Sequence, residues 1–97
     1  MIQTVPLAKL LRDYFSAQPV LRAYLFGSYA RASQQHDSDI DILVEFDPDV
    51  PIGIEYVQMY LDLKALTGKE VDLVTNKSLS KYVKPQVDRE KQLIYER

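Results

Sequence analysis

Two aspartates, Asp39 and Asp41, are separated by one residue in a stretch that is otherwise largely apolar. Successive side chains of a β-strand point to opposite faces, so a strand here presents both carboxylates on one face, with their Cα atoms about 6.6 Å apart. Like charges this close raise each other's pKa or recruit a cation. Carboxylate oxygens favour the hard cations Mg²⁺ and Mn²⁺. The pair therefore predicts a divalent metal site.

A third aspartate, Asp72, alternates with Val71 and Leu73 in a second short apolar stretch. If the two strands are neighbours, three carboxylates converge on one face of the sheet. Such a group suits metal-assisted phosphoryl or nucleotidyl transfer, in which cations stabilise the attacking and the leaving oxygen. We predict that Asp39, Asp41 and Asp72 are metal ligands and catalytic residues. Asp72 either shares the metal that activates the nucleophile or takes the proton of the nucleophile directly.

Gly27 and Ser28 end an apolar run that precedes the first aspartate pair. A glycine has no Cβ, so a phosphate can approach its backbone, and the amides that follow it can act as donors. The hydroxyl of Ser28 adds a further donor, and Arg31 is close enough in sequence to reach the same phosphates. The alternatives are a turn glycine, a helix-capping serine and an arginine in a surface ion pair. We predict Gly27, Ser28 and Arg31 as nucleotide and phosphate contacts.

The elements that must position these groups alternate along the chain. The 97 residues fit one domain, residues 1–97, with 46% hydrophobic and 27% charged residues. The patterns predict a helix from Leu7 to Phe15 after a capping Thr4, a strand at 20–26, a short helical piece at 28–32 and a strand at 39–46. A helix at 53–67 and a strand at 70–75 follow. The chain continues with a last helix, capped by Ser78 and interrupted near Pro85, and a brief strand at 93–95. We therefore expect an α/β (α+β) fold with a short mixed sheet of three to four strands flanked by helices.

The helix predicted at 53–67 contains two sets of apolar residues. Ile54, Val57, Leu61 and Ala65 lie along one stripe, the pattern of an amphipathic helix. Tyr56 and Tyr60 share another face, and we interpret them as packing residues rather than as a platform for stacking bases.

Composition excludes several classes of protein. The formal net charge of −2 gives no basic surface for duplex nucleic acid, so no direct nucleic-acid partner is expected. The absence of cysteine excludes disulfides and thiolate metal sites. No apolar run approaches the length of a membrane span, and the first residues lack the apolar core of a signal peptide. These features predict a cytoplasmic protein without membrane contact.

The motif spacing resembles that of a known superfamily. Gly27-Ser28 is separated by ten residues from Asp39-Ile40-Asp41, which resembles the Gly-Ser-x10-Asp-x-Asp signature of the DNA polymerase beta nucleotidyltransferases. The longer text "GSYAR…SDIDILV", followed by the acid in "EVDLV", is similar to the minimal branch of MNT-domain nucleotidyltransferases. With the helices, the resemblance covers most of the chain.

The resemblance implies a small nucleotidyltransferase fold that uses ATP as its substrate and Mg²⁺ or Mn²⁺ as its cofactor. It also implies transfer of AMP to a hydroxyl, typically a tyrosine of a HEPN-domain toxin, so that the chain acts as an antitoxin in a hetero-oligomer. The alternatives are an antitoxin with a weak or inactive site that neutralises the toxin by binding it, and a small-molecule nucleotidyltransferase. Ala32 stands where the family usually has glycine, which leaves the catalytic competence of the loop open.

The loop before the second strand offers a competing motif. Arg31 and His36 show the Arg-x4-His spacing of HEPN ribonucleases. Those motifs lie on helices of all-helical domains, whereas this segment leads into a strand, so we reject the ribonuclease interpretation. His36 and Asp37 are expected to be solvated rather than ligands.

Overall fold

The structure is a computed structural model that describes residues 6–30 and 39–97. In chain order its elements are α1 (Leu7–Phe15), β1 (Val20–Phe26), β2 (Ile40–Phe46), α2 (Ile54–Thr67), β3 (Val71–Val74), a 3₁₀ turn (Asn76–Ser78), α3 (Lys84–Glu90) and β4 (Gln92–Glu96). All four strands were predicted from the sequence. No bound differs from the predicted one by more than one residue.

The four strands form one sheet in the order β3-β2-β1-β4. β1 pairs antiparallel with both β2 and β4, whereas β2 and β3 run parallel and are joined through α2. A parallel pair needs such a crossover connection, and a helix commonly provides it. The predicted mixed sheet flanked by helices is confirmed. The two halves of the sequence motif lie at adjoining ends of its central strands, after β1 and at the start of β2.

α1 and α2 cover one face of the sheet. Alternation along β2 directs Ile40, Ile42 and Val44 into the core, where they are fully or almost fully buried. The helices contribute further buried side chains to the same cluster: Leu11, Phe15, Met59 and Leu63. The odd-numbered residues of β2, including Asp41, therefore project from the other face.

The other face of the sheet is less apolar. Tyr24 in β1 lies opposite Leu43 in β2, and Leu43 is buried although it lies outside the main cluster. The ammonium group of Lys91, the residue that follows α3, lies 4.5 Å from the centre of the Tyr24 ring. This is a cation–π geometry. The end of α3 thus lies over the sheet face from which Asp41 projects.

The structure corrects the orientation expected for α2. Ile54, Val57 and Leu61 are 81%, 54% and 49% exposed, and the buried side chains are Met59 and Leu63. The physical reason is that α2 carries two apolar stripes on opposite sides, and the sheet covers the one that includes the tyrosines. α2 ends at Thr67, as expected, and Gly68 after it adopts the left-handed conformation typical of a helix C-terminus, with φ of 70°.

The last helix begins later than the sequence indicates. Ser78 closes the 3₁₀ turn, where its hydroxyl donates to the carbonyl of Thr75 and accepts from the backbone N–H of the same residue. α3 starts only at Lys84, and Pro85 occupies its first turn instead of interrupting it. The first turn tolerates proline because its N–H groups have no partner within the helix. The predicted capping role of Ser78 in this helix is therefore wrong.

Two further expectations concern the start of the chain and the loop after β1. Residues 27–30 form turns rather than a helix, and the rest of the short helical piece predicted at 28–32 lies outside the described residues. Thr4, predicted as a cap, also lies outside them. Within residues 6–30 and 39–97, none of the helices has the length and apolar character needed to cross a membrane.

Candidate active site

Gly27 begins the turn that follows β1 and lies against the carboxylate of Asp41. Its φ is 71°, in the left-handed region that glycine adopts without a steric penalty. A Cβ added at this position would lie 2.2 Å from Oδ2 of Asp41 and 3.1 Å from its Cγ. The backbone conformation and the close approach both require glycine here. The Gly-Ser and Asp-x-Asp parts of the motif are therefore in direct contact.

Asp41 and Asp72 lie beside each other on neighbouring strands. The register of the parallel pair matches Asp41 with Asp72 and Ile42 with Leu73. Neighbouring strands are separated by about 4.8 Å, and matched residues point to the same face. Asp41 is half-buried, whereas Asp72 is exposed on an edge strand. Two carboxylates 31 positions apart in sequence thus form a pair at the same level of the sheet.

Asp39 immediately precedes β2 and is exposed. Alternation places it on the same side of the chain as Asp41, but it lies one residue before Ile40, the first paired residue of the strand. Among the residues that the structure describes, no three acidic or imidazole groups approach one another closely enough to hold a metal ion. The three-carboxylate metal site expected from the sequence stays a prediction, and the pair formed by Asp41 and Asp72 is its structured part.

The remaining predicted contacts lie in or after the turn. Ser28 is half-buried within residues 27–30. Arg31, Ala32, His36 and Asp37 fall outside the described ranges. Their predicted roles are therefore not tested by the structure.

Tyr56 joins α2 to the strand that holds Asp72. Its hydroxyl donates a hydrogen bond to the carbonyl of Leu73, and its ring packs at 6.3 Å from the ring of Phe46. Burial raises the pKa of the Tyr56 phenol above its usual range, and the negative charge of Asp72 adds to the shift. The packing role expected for Tyr56 is confirmed, and the hydroxyl adds a tether that the sequence pattern did not indicate.

Gln92 is a contact of the turn that sequence reasoning missed. Its side-chain Nε2 donates to the carbonyl oxygen of Ala30 at 2.8 Å. The two residues are 62 positions apart, and a glutamine at the start of a short strand belongs to no motif that would indicate a functional role. Only the pairing of β4 with β1 brings this side chain to the turn.

The sequence of the chain matches a known family of enzymes. Residues 9–97 match the family described as polymerase beta, nucleotidyltransferase. The chain belongs to this nucleotidyltransferase family. The match includes the turn, both aspartate-bearing strands and α2, so the resemblance seen in the motif spacing is confirmed.

A relative of this nucleotidyltransferase occurs in Methanocaldococcus jannaschii and carries the provisional name of protein adenylyltransferase. It is 43% identical over 89 residues, which cover 90% of this chain and 84% of the relative. The similarity therefore extends over nearly the whole of both chains rather than over the motif alone.

Two solved structures share the nucleotidyltransferase fold. One is a crystal structure of a toxin-antitoxin with AMP-PNP, with a TM-score of 0.69, 32% identity and coverage of 92% of this chain and 69% of that one. The other is a tri-AMPylated HEPN toxin from Shewanella oneidensis in complex with an MNT antitoxin, with a TM-score of 0.61, 30% identity and coverage of 92% and 66%.

Proposed function

We propose that this chain transfers AMP from ATP to a tyrosine hydroxyl of a HEPN-domain toxin and thereby acts as an antitoxin. The observation that carries the proposal is the contact between Gly27 and Asp41, with Asp72 beside them. It joins a turn suited to phosphates to a pair of carboxylates. The solved structures of toxin-antitoxin complexes, one with AMP-PNP and one with an AMPylated toxin, support the choice of nucleotide and partner.

The carboxylate pair fits a divalent cation. Mg²⁺ is typically held by one or two carboxylates, and water and phosphate oxygens complete its shell. Asp41 and Asp72 supply that number of carboxylates at one level of the sheet, and Asp39 follows the same alternation. When bound, the cation neutralises charge that develops on the phosphate oxygens during transfer.

The residues of the chain have separate roles in the proposed reaction. The turn at Gly27 and Ser28 orients the triphosphate. The oxygen of the acceptor hydroxyl forms a bond to the α-phosphorus, the bond from that phosphorus to the bridging oxygen breaks, and pyrophosphate leaves. Asp72, exposed at the sheet edge, accepts the proton of the hydroxyl. Positioning and electrostatic stabilisation supply most of the catalysis in phosphoryl transfer of this kind.

Label transfer tests the proposal directly. The purified chain is incubated with Mg²⁺, ATP labelled at the α-phosphate and its proposed partner, a HEPN-domain toxin. We expect label on the HEPN protein, mapped by mass spectrometry to tyrosine. Asp41→Asn and Asp72→Asn should each lower the rate by about 10²- to 10³-fold, because each removes one preorganised charge from the transfer site.

Asp49→Asn is the matched control, since Asp49 is an exposed aspartate in the loop after β2. This variant should transfer label at the rate of the unchanged chain. Absence of transfer by the unchanged chain, or equal transfer by the Asp41→Asn variant, contradicts the proposal.

A second candidate function is neutralisation by binding alone. The similar solved structures contain an antitoxin in complex with its toxin, and such contact can block a toxin without chemistry. An Asp41→Asn/Asp72→Asn double variant separates the two functions in cells that express the toxin. If the double variant still binds the toxin but no longer protects the cells, catalysis is required; continued protection supports binding alone.

A further inference from the structure

The turn formed by residues 27–30 is held at both of its ends. At the first end, Phe26 pairs with Asp41 across the sheet, and Gly27 lies against the carboxylate of Asp41. At the second end, the side-chain amide of Gln92 donates to the carbonyl oxygen of Ala30 at 2.8 Å. Ser28 lies between the two fixed points.

Gln92 is itself positioned by backbone pairing. It is the first residue of β4, and its register partner in β1 is Leu25, two residues before Gly27. A side chain that starts from a paired strand has a defined origin and needs to fix only its own torsions to reach the turn. Functional groups on strands are held more accurately than groups on loops.

The contact lies at the protein surface, since Gln92 is exposed. Loss of this one exposed hydrogen bond should leave the overall fold intact, since water can hydrogen-bond to both groups once they separate. The effect of the bond is local instead: it restricts the orientation of the Ala30 carbonyl. A carbonyl oxygen is an acceptor and repels an anion, so a turn that binds phosphates benefits when this oxygen is engaged elsewhere, here by a donor on β4.

We propose that Gln92 is a positioning residue of the nucleotide site, which fixes the turn at residues 27–30 in the conformation that binds the triphosphate. The inference rests on the proposed use of ATP. A turn held in place before the nucleotide arrives loses less conformational entropy on binding. Removal of the Gln92 donor should therefore weaken nucleotide binding much more than it slows the chemical step.

The test compares Gln92→Met, which keeps the length of the side chain but removes the donor without adding charge, with Gln86→Met. Gln86 lies on α3, where its amide donates to Glu90 at 3.2 Å in an exposed pair within the helix. Binding of MgATP is measured by isothermal titration calorimetry in the absence of an acceptor. We expect Gln92→Met to raise the Kd by about 3- to 10-fold, the range of one hydrogen bond, while Gln86→Met leaves the Kd unchanged.

Label-transfer kinetics provide the second measurement. The KM for ATP should rise in Gln92→Met by a factor similar to that of the Kd, and kcat at saturating ATP should stay within about twofold of the unchanged chain. A purely structural role would lower kcat in proportion to the loss of folded protein, and circular dichroism measures that loss directly. Gln92→Ser, which also cannot reach Ala30, should repeat the result.

The outcomes separate this inference from the function on which it rests. If the unchanged chain binds no MgATP, the proposed function itself is wrong. If the unchanged chain binds MgATP and Gln92→Met binds it equally well, the positioning role of Gln92 is overturned and the proposed function stands. Equal weakening by the Gln92 and Gln86 variants would also overturn the positioning role.

Discussion

At the scale of single residues, Gly27 is constrained twice, and the two constraints can be separated. Its φ of 71° is matched by that of Gly68, which is 70°. An added Cβ at Gly27 would meet the Asp41 carboxylate, whereas one at Gly68 has no neighbour within 4 Å. Gly68 therefore reports the cost of the backbone conformation alone, and Gly27 adds the cost of displacing a proposed ligand.

We predict that Gly27→Ala lowers label transfer by at least about 10²-fold, because the Asp41 carboxylate must move away from the turn. Gly68→Ala should cost about 1 kcal/mol of stability through its backbone conformation and leave transfer unchanged. Urea unfolding measures the change in stability, and the transfer assay measures the activity of both variants. Equal activity of the two variants would show that the contact between Gly27 and Asp41 has no catalytic role.

At the scale of elements, α2 shows why an apolar stripe alone does not define a buried face. Met59 and Leu63 are almost fully buried, and Leu61 is 49% exposed. Both faces of the helix carry apolar residues, so local periodicity permits either orientation. The buried face is the one whose tyrosines find polar partners at its margins: Tyr56 at the Leu73 carbonyl and Tyr60 at the Glu70 carboxylate.

This orientation predicts different costs for two leucines that are two residues apart. Leu63→Ala should lower the free energy of unfolding by about 2 to 5 kcal/mol, since it leaves a cavity between α2 and the sheet. Leu61→Ala should change it by no more than about 0.5 kcal/mol. Urea denaturation followed by circular dichroism measures both. A larger loss in the Leu61 variant would show that α2 packs with the opposite face.

At the scale of the whole molecule, Arg97, the last described residue, contacts two residues that are distant in sequence. Its backbone N–H donates to the carbonyl of Leu21, and its guanidinium forms an ion pair with Asp47 at 2.7 Å. The Arg97 guanidinium, together with the backbone N–H of Asp49, holds the pKa of the Asp47 carboxyl below its usual range. The pair therefore links stability to pH.

The sign of this linkage follows from the lowered pKa. A carboxyl with a lowered pKa in the folded state contributes stability above its ordinary pKa of 3.8, and the contribution is lost as the pH falls through the lowered value. We predict that Arg97→Gln is less stable than the unchanged chain at pH 7 and that the difference shrinks below about pH 4. Urea unfolding at pH 7 and pH 3 checks this. The control is Arg89→Gln, at an exposed arginine of α3. If Arg97→Gln lowers the free energy of unfolding equally at both pH values, the linkage is contradicted.

The sequence by itself determined the features of this protein that depend only on residues close to one another in the chain. The alternation in "DIDILV" predicted a strand with both carboxylates on one face, and in the structure Ile40 and Ile42 are buried on the opposite face. The spacing from Gly27-Ser28 to Asp39 and Asp41 resembles the signature of the nucleotidyltransferase family, and membership of that family is confirmed. Such features follow from strand periodicity and from the chemistry of each side chain, which are local properties.

The tertiary structure alone decided which distant residues meet. The parallel register placed Asp72 beside Asp41, packing against the sheet chose the buried face of α2, and the β4 pairing brought Gln92 to Ala30. None of these outcomes can be predicted from a local sequence pattern, because each depends on the free energy of assembling elements that are far apart in sequence. The sequence thus supplied the chemical groups of the candidate site, and the pairing of strands supplied their arrangement.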